Sequence, residues 1–387
     1  MSGATSDAPR RLAELEFNHP MISAFLDLDP GRFATGSART TEINSLLDQA
    51  QQRLHAQPLD HRDRVSLGQD LQRVGSYLTT ELDASGTHGV AVYCSGREAL
   101  FEAIRLPHQV ASDLVIEPIP VLEPLLPAPV PARVCVTLIN RRDARFFIPA
   151  DESGLAEQAF AQQDEHDRVR GQHRQGGRSE ANYERSIEAD VDAHLRRAAE
   201  QLFRLVRLHR CDRLVLGGPH EVVIRFINQL HPELRAIVDE RELALDVGTS
   251  SVVEVMDALS PLQKRWHEMA QWQALQQLLS GLEGRQGIAT GISETLAALG
   301  RRQVASLVLG PHMDAEGSVC PRCEQLYTAE HAGGCEADGS ELQQLHGLRS
   351  AMIRSAIRQD ADVVVLQDFA DRPEIAAVAG VGAILRY

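Results

Sequence analysis

A mixed α/β fold in three domains is the class this sequence predicts. Short apolar runs with strand character alternate with amphipathic helical patterns along most of the chain. A proline-rich stretch at 118–131 interrupts that alternation, and the alternation then restarts twice. The expected divisions are 1–130, 131–275 and 276–387.

In the first segment, MISAFLDL (Met21–Leu28) reads as a strand. Helical spacing follows over 41–55 and 62–82, then strand candidates at 88–95 and 99–107. PIPVLEPLLPAPVP at 118–131 carries six of the chain's 18 prolines. Proline fixes φ and lacks a ladder donor, so this stretch reads as an extended connector, and its apolar residues suit it to lie on a surface.

The second segment opens with RVCVTLI (133–139), the turn NRRD and ARFFIPA (144–150), which together predict a hairpin. Residues 151–179 are polar and read as a long exposed loop. A helix is predicted over 182–209, where Ile187, Val191, Leu195, Ala198, Leu202 and Val206 form one stripe. RLVLGG (213–218) reads as a buried strand running into a helix at 220–230. Residues 250–300 read as mostly helical, and they carry both tryptophans, Trp266 and Trp272. In the third segment, strands are predicted at 304–310, 362–367 and 381–387. A glycine- and cysteine-bearing insert (311–340) and an amphipathic helix (341–358) lie between the first two.

Composition narrows the function. The chain has 387 residues, 39 basic against 54 acidic, and a formal charge of −15. Lys264 is the sole lysine, so the other 38 basic residues are arginines. A generic basic nucleic-acid coat is excluded, and no DNA partner is expected. Strong cationic contacts must come from planar, forked guanidinium groups. Aromatic residues are only 4% of the chain, which leaves the cores to Leu, Val, Ile and Ala. No apolar run approaches the roughly 18 residues of a membrane span. The N-terminus MSGATSDAPRRLAELEF lacks an apolar signal core, so a cytoplasmic protein is expected. Six cysteines are too few for a disulfide scaffold.

Four places could carry chemistry. RVRGQHRQGGR, Arg168–Arg178, holds four arginines and a histidine with no acid. Arginines beside a glycine pair suit close contact with phosphates; a solvated surface loop is the alternative. Cys320 and Cys323 are two residues apart, and Cys335 follows with His331 before it. That set could hold Zn²⁺, with His312 and His346 as other candidates for the fourth position. Free thiols are the alternative, and a thioredoxin-like pair fits less well because Cys320 does not open a helix after a strand. LGGPHE (216–221) could bind an anion at a helix N-terminus, yet a tight βα turn explains it more simply. No GxSxG or HExxH motif points to a hydrolase.

In their order along the chain, the blocks AFLDLDP (24–30), HGVAVYCS (88–95), LINRRDARFF (138–147), RLVLGGPHE (213–221) and GVGAILRY (380–387) resemble the archaeo-eukaryotic release factor 1/Pelota superfamily. The likeness is to its bacterial branch, which includes Balon-like ribosome hibernation factors. The resemblance implies a three-domain factor that enters the ribosomal A site. It also implies an RNase H-like middle domain and an α/β C-terminal domain similar to ribosomal proteins. In release factors the middle-domain loop ends in Gly-Gly-Gln. Here the matching residues are Gly176, Gly177 and Arg178, and Gln175 lies before the glycines. Arginine cannot copy a compact neutral amide at an ester, so the resemblance implies a binder rather than an enzyme. Arg168, Arg170, His173, Arg174, Gly176, Gly177 and Arg178 would contact rRNA or tRNA. A translational GTPase such as elongation factor Tu would be a partner. A peptidyl-tRNA hydrolase that rescues stalled ribosomes is the other reading. A metal-dependent adaptor with no ribosomal role is a third.

Overall fold

The protein is described from a computed structural model. It covers all residues except 1–3, 17–18, 30–35, 58, 85–86, 107, 127–132, 151–153, 159, 161–177, 285–286, 312, 314, 346, 368–379 and 387. The described residues form mixed α/β structure in two compact units. One joins 1–128 with 268–387, and the other is 129–267. No helix among the described residues is long and apolar enough to cross a membrane.

The chain enters the first unit through helix α1 (Ala4–Glu14) and strand β1 (Met21–Asp27). Helices α2 (Gly36–Ala56) and α3 (His61–Ser76) follow, and α3 runs on into a π-helical turn at Tyr77–Glu81. The Asp60 carboxylate caps α3 by accepting from the Asp63 N–H at 2.6 Å. Strands β2 (Gly89–Ser95), β3 (Leu100–Leu106) and β4 (Asp113–Glu117) complete an antiparallel sheet of order β3-β2-β1-β4. Every residue of β1 and β2 is buried. Ile22, Ala24, Leu26, Val90, Val92 and Cys94 face α2 and α3. Met21, Phe25, Ala91 and Tyr93 join the opposite cluster, which is completed by residues beyond 288. Two covered faces explain why these strands read as unbroken apolar runs.

Part of the proline-rich connector lies along this sheet, with Ile119, Leu122 and Leu125 buried. The Tyr93 hydroxyl donates to the Val121 carbonyl (2.6 Å), and the Val121 N–H donates to Ser23 Oγ (3.2 Å). Side chains thus satisfy backbone groups that the prolines keep out of the ladder.

The second unit begins with β5 (Val134–Ile139) and β6 (Ala144–Ala150), the expected hairpin. A third strand, β7 (Gly154–Gln158), pairs with β6 inside the stretch expected to be loop. Nearly all of β7 is exposed, so it lacks the apolar alternation that marks a strand. Its register is held by Arg145, whose guanidinium grips both Glu157 oxygens at 2.6 and 2.7 Å. That pairing holds the Glu157 carboxyl below the usual range.

Helix α4 (Arg178–His209) starts earlier than its apolar stripe suggests. Val191, Leu195, Ala198, Leu202 and Val206 are buried, but Ile187 is exposed and lies outside the packed stripe. Strand β8 (Arg213–Gly217) lies parallel to β5, giving the order β7-β6-β5-β8. Helices α5 (His220–Gln229) and α6 (Pro232–Arg235) follow. Helix α7 (Val252–Gly284) then covers the second face of the sheet with Val255, Leu259, Leu262 and Trp266.

From Glu268 onward α7 belongs to the first unit, where the chain continues through β9 (Ile288–Thr290), α8 (Gly291–Gly300) and β10 (Val304–Leu309). The insert folds as three short strands, β11 (Gly317–Val319), β12 (Leu326–Thr328) and β13 (Gln343–Leu345), in the order β12-β11-β13. The helix expected over 341–358 is shorter, α9 (Leu348–Arg358), because β13 takes its first residues and Gly347 separates the two. Strands β14 (Asp362–Val365) and β15 (Val381–Leu385) close a sheet of order β14-β10-β15-β9.

The glycines of LGGPHE have a packing reason. Gly218 has φ +132°, and a Cβ there would lie 2.0 Å from the Ile139 carbonyl oxygen. The turn can cross the end of β5 only without a side chain. Gly218→Ala is expected to destabilise the second unit by about 2–4 kcal/mol. Urea unfolding followed by Trp266 fluorescence measures this, with a Trp272→Phe background to isolate the signal.

Candidate metal centre

The insert brings three cysteines and one carboxylate together. Cys320, Cys323, Cys335 and Asp338 each place a ligand atom within 4.8 Å of the others. Cys323 Sγ is 3.4 Å from Cys335 Sγ, and Cys320 Sγ is 3.7 and 3.8 Å from the two Asp338 oxygens. A tetrahedral zinc ion with Zn–S bonds of about 2.3 Å needs ligand separations of about 3.8 Å. The cluster has that size.

Two matching turns build it. After β11, the Cys320 N–H donates to the Gln325 carbonyl at 2.9 Å, and the Glu324 N–H donates to the Cys320 carbonyl at 2.9 Å. In the second turn, the Cys335 N–H donates to the Ser340 carbonyl at 2.8 Å, and the Gly339 N–H donates to the Cys335 carbonyl at 2.8 Å. The residue four places after each leading cysteine has positive φ, 60° at Glu324 and 72° at Gly339. Both turns therefore present a donor, two intervening residues and a second donor: Cys-Pro-Arg-Cys at 320–323 and Cys-Glu-Ala-Asp at 335–338.

The surroundings favour the thiolate of Cys335. The Arg322 N–H donates to Cys320 Sγ at 3.4 Å. The Tyr327 hydroxyl donates to Cys335 Sγ at 3.4 Å and accepts from the Glu336 N–H at 3.0 Å. That hydroxyl bond holds the Cys335 thiol below its ordinary value, against the effect of burial. Burial raises Cys323 to about 11 and Tyr327 to about 12, so Tyr327 keeps the proton it donates. Asp338 is lowered, first by the Ser340 N–H it accepts. Cys320, Tyr327 and Cys335, with Leu342 against them, are the only apolar cluster at this end of the insert among the described residues. So small a core is the setting in which a bound metal supplies folding energy.

His331, expected from the sequence as a ligand, is elsewhere. Its ring stacks on Tyr327 with centroids 4.3 Å apart, Nε2 is 3.2 Å from the Gly334 carbonyl, and Nδ1 is 3.9 Å from Glu336. Asp338 takes the place in the cluster that His331 was expected to fill. The repeated two-residue spacing of Cys335 and Asp338 was the available signal, hidden because the second donor is not a cysteine. His312 and His346 lie outside the described residues, as do Arg168, Arg170, His173, Arg174, Gly176 and Gly177. Arg178 is the first residue of α4.

Residues 120–264 match the model of the family described as bacterial archaeo-eukaryotic release factor family 10. That segment of the chain is thus similar to a bacterial branch of the archaeo-eukaryotic release factors, the branch that the sequence blocks resemble. No curated protein matches it. Among solved structures, archaeal translation termination factor aRF1 aligns at 17% identity over 99% of this chain and 98% of that one, with a TM-score of 0.25. Ribosome-bound archaeal Pelota aligns at 13% identity over 77% of each chain, with a TM-score of 0.40. Dom34 from S. cerevisiae, described as a termination-like factor that interacts with Hbs1, aligns at 10% identity over 77% of this chain and 81% of that one, with a TM-score of 0.37.

In the metal-free chain, Tyr327→Phe is expected to raise the pH at which the Cys335 thiolate forms, because the hydroxyl bond that stabilises the anion is removed. Thiolate absorbance followed against pH, compared between wild type and variant, measures the shift.

Proposed function

We propose that this protein is a release factor-like, Pelota-like factor that binds the ribosomal A site and protects or silences idle ribosomes without hydrolysing peptidyl-tRNA. The match over residues 120–264 carries the reading, because it spans the basic Gly-Gly segment. Arg168, Arg170, Arg174 and Arg178 supply forked cations for rRNA phosphates, His173 adds a further donor, and Gly176 and Gly177 leave room for close approach. The helix that follows, α4, is anchored by seven buried apolar residues among the described ones, from Val191 to Val206. Arg178 stands where the release-factor resemblance puts glutamine, and it favours phosphate contact over ester chemistry.

In this reading the chain works in the cytoplasm as three functional segments, 1–130, 131–275 and 276–387. The first faces the decoding centre, and the last faces a translational GTPase such as elongation factor Tu. Replacing all four arginines with alanine is expected to reduce co-sedimentation with ribosomes by about tenfold or more in moderate salt, given the steep dependence of such binding on phosphate contacts. Undiminished co-sedimentation would remove the loop from the interface. Retention of Gly176 and Gly177 favours one second reading, peptidyl-tRNA hydrolysis in ribosome rescue. Release of labelled peptide from stalled ribosomes that is lost in Gly176→Ala would establish it.

The metal centre takes zinc in this proposal, held by Cys320, Cys323, Cys335 and Asp338. Its role is to hold the insert's two turns together, since all four positions are filled by protein and none is left for a substrate. The purified chain is expected to retain one zinc per molecule by elemental analysis. Cys335→Ser should lose it, Asp338→Cys should retain it, and His331→Ala should leave the content unchanged.

A further inference from the structure

A second feature lies against the first of the two turns. A cavity of about 90 Å³ opens between that turn, the end of α8 and helix α9. Arg302, Arg354, Arg358, Glu324, Gln325 and Ser355 are among its walls. Three arginines and a single acidic residue thus line one small space, in a chain whose formal charge is −15.

The four charged groups have distinct roles. Arg354 is pinned: its Nε donates to the Ala13 carbonyl at 3.0 Å and Nη2 to the Leu15 carbonyl at 2.7 Å, at the end of α1. The side chain of Arg354 is only 11% exposed. Glu324 bridges it, 3.4 Å from Nη1, to Arg358, one helical turn further along α9. Arg302 has no acidic partner among the described residues.

Two of these residues also occupy an unusual backbone region. Arg302 has φ 56° just past the end of α8, and Glu324 has φ 60°. Glycine is the ordinary residue at such positions, and the matching place in the second turn is indeed a glycine, Gly339. Large charged side chains therefore stand where the backbone favours glycine, and both line the same cavity.

We infer that this cavity is a binding site for a phosphate group, either inorganic phosphate or the monoester end of a small molecule. A phosphate dianion balances the two excess positive charges, and its tetrahedral oxygens can accept from forks that arrive from separate elements. The volume admits one such group. The site is independent of the ribosomal reading, and it shares the Cys320–Cys323 turn with the metal centre, since Cys323 is also among its walls.

Calorimetric titration of the full chain with inorganic phosphate, and separately with phosphoserine, at constant ionic strength tests it. Saturable binding of phosphate is expected, weakened about tenfold or more by Arg302→Ala and by Arg358→Ala, in line with a lost charge-assisted bond. Glu324→Gln removes the competing carboxylate and is expected to tighten binding by about threefold or more. A misfolded chain would not produce that gain. Phosphoserine binding with equal sensitivity to Arg302→Ala identifies a monoester as an accepted source; binding of inorganic phosphate alone identifies the free ion. Absence of saturable binding in both wild type and Glu324→Gln overturns the inference. Affinity unchanged in Arg302→Ala also overturns it, as does Arg302-sensitive binding of a short RNA without terminal phosphates when phosphate itself does not bind.

Discussion

The first unit depends on the burial of β1 and β2 on both faces. Fourteen consecutive-strand residues without an exposed position cannot be covered by α2 and α3 alone, because side chains alternate between two faces. Met21, Phe25, Ala91 and Tyr93 need a second apolar layer, and that layer is the chain's own C-terminal portion: Leu296, Leu299, Leu307, Met352 and Ile353 belong to the same cluster. A strand near the start of the chain is therefore completed by residues more than 250 positions away. Polar pairs secure the closure. Arg349 on α9 grips the Glu123 carboxylate and donates to the Gly310 carbonyl at 2.7 Å, while Arg354 caps the end of α1.

Arginine fills this role repeatedly. Arg145 holds the edge strand β7 and also reaches the Ser250 carbonyl at 2.7 Å. Arg213 reaches Asp239 at 2.9 Å and lies over the Trp266 ring, 4.7 Å from its centroid, while the Trp266 indole donates to the same carboxylate at 2.8 Å. Burial raises the Asp239 carboxyl, but the Arg241 N–H, which donates to it at 3.0 Å, together with these two bonds lowers it overall. A chain with one lysine builds its internal cross-links from a group with five donors in a planar fork, which can bind a carboxylate and a carbonyl at once. The exclusion of a basic coat and the local use of arginine are thus compatible, since guanidinium groups act here in small sets with defined partners.

The elements that could be read early are those with strong local patterns. The β5–β6 hairpin, the buried stripe of α4, and β8 with its glycine turn follow from apolar period and turn chemistry. The elements that escaped are those whose register is decided by partners. β7 is polar and exposed, β13 is three residues long, and α1, among the described residues, buries Ala8, Leu12 and Ala13 against distant parts of the chain. The metal cluster divides the same way. The three cysteines were visible, but Asp338 was not, because a carboxylate becomes a ligand only when a turn aims it at the sulfurs.

By itself the sequence determined the fold class, the family resemblance, the arginine-only character of the basic groups and the Gly-Gly-Arg departure from Gly-Gly-Gln. These are properties of local order and composition, and they need no contact between distant residues. Only the tertiary structure decided which carboxylate joins the cysteines, that His331 stacks on Tyr327 instead, and that three arginines from two separate helical regions share one cavity with Glu324. Each depends on a turn or a helix end placing side chains together in space, and separation along the chain carries no record of that distance.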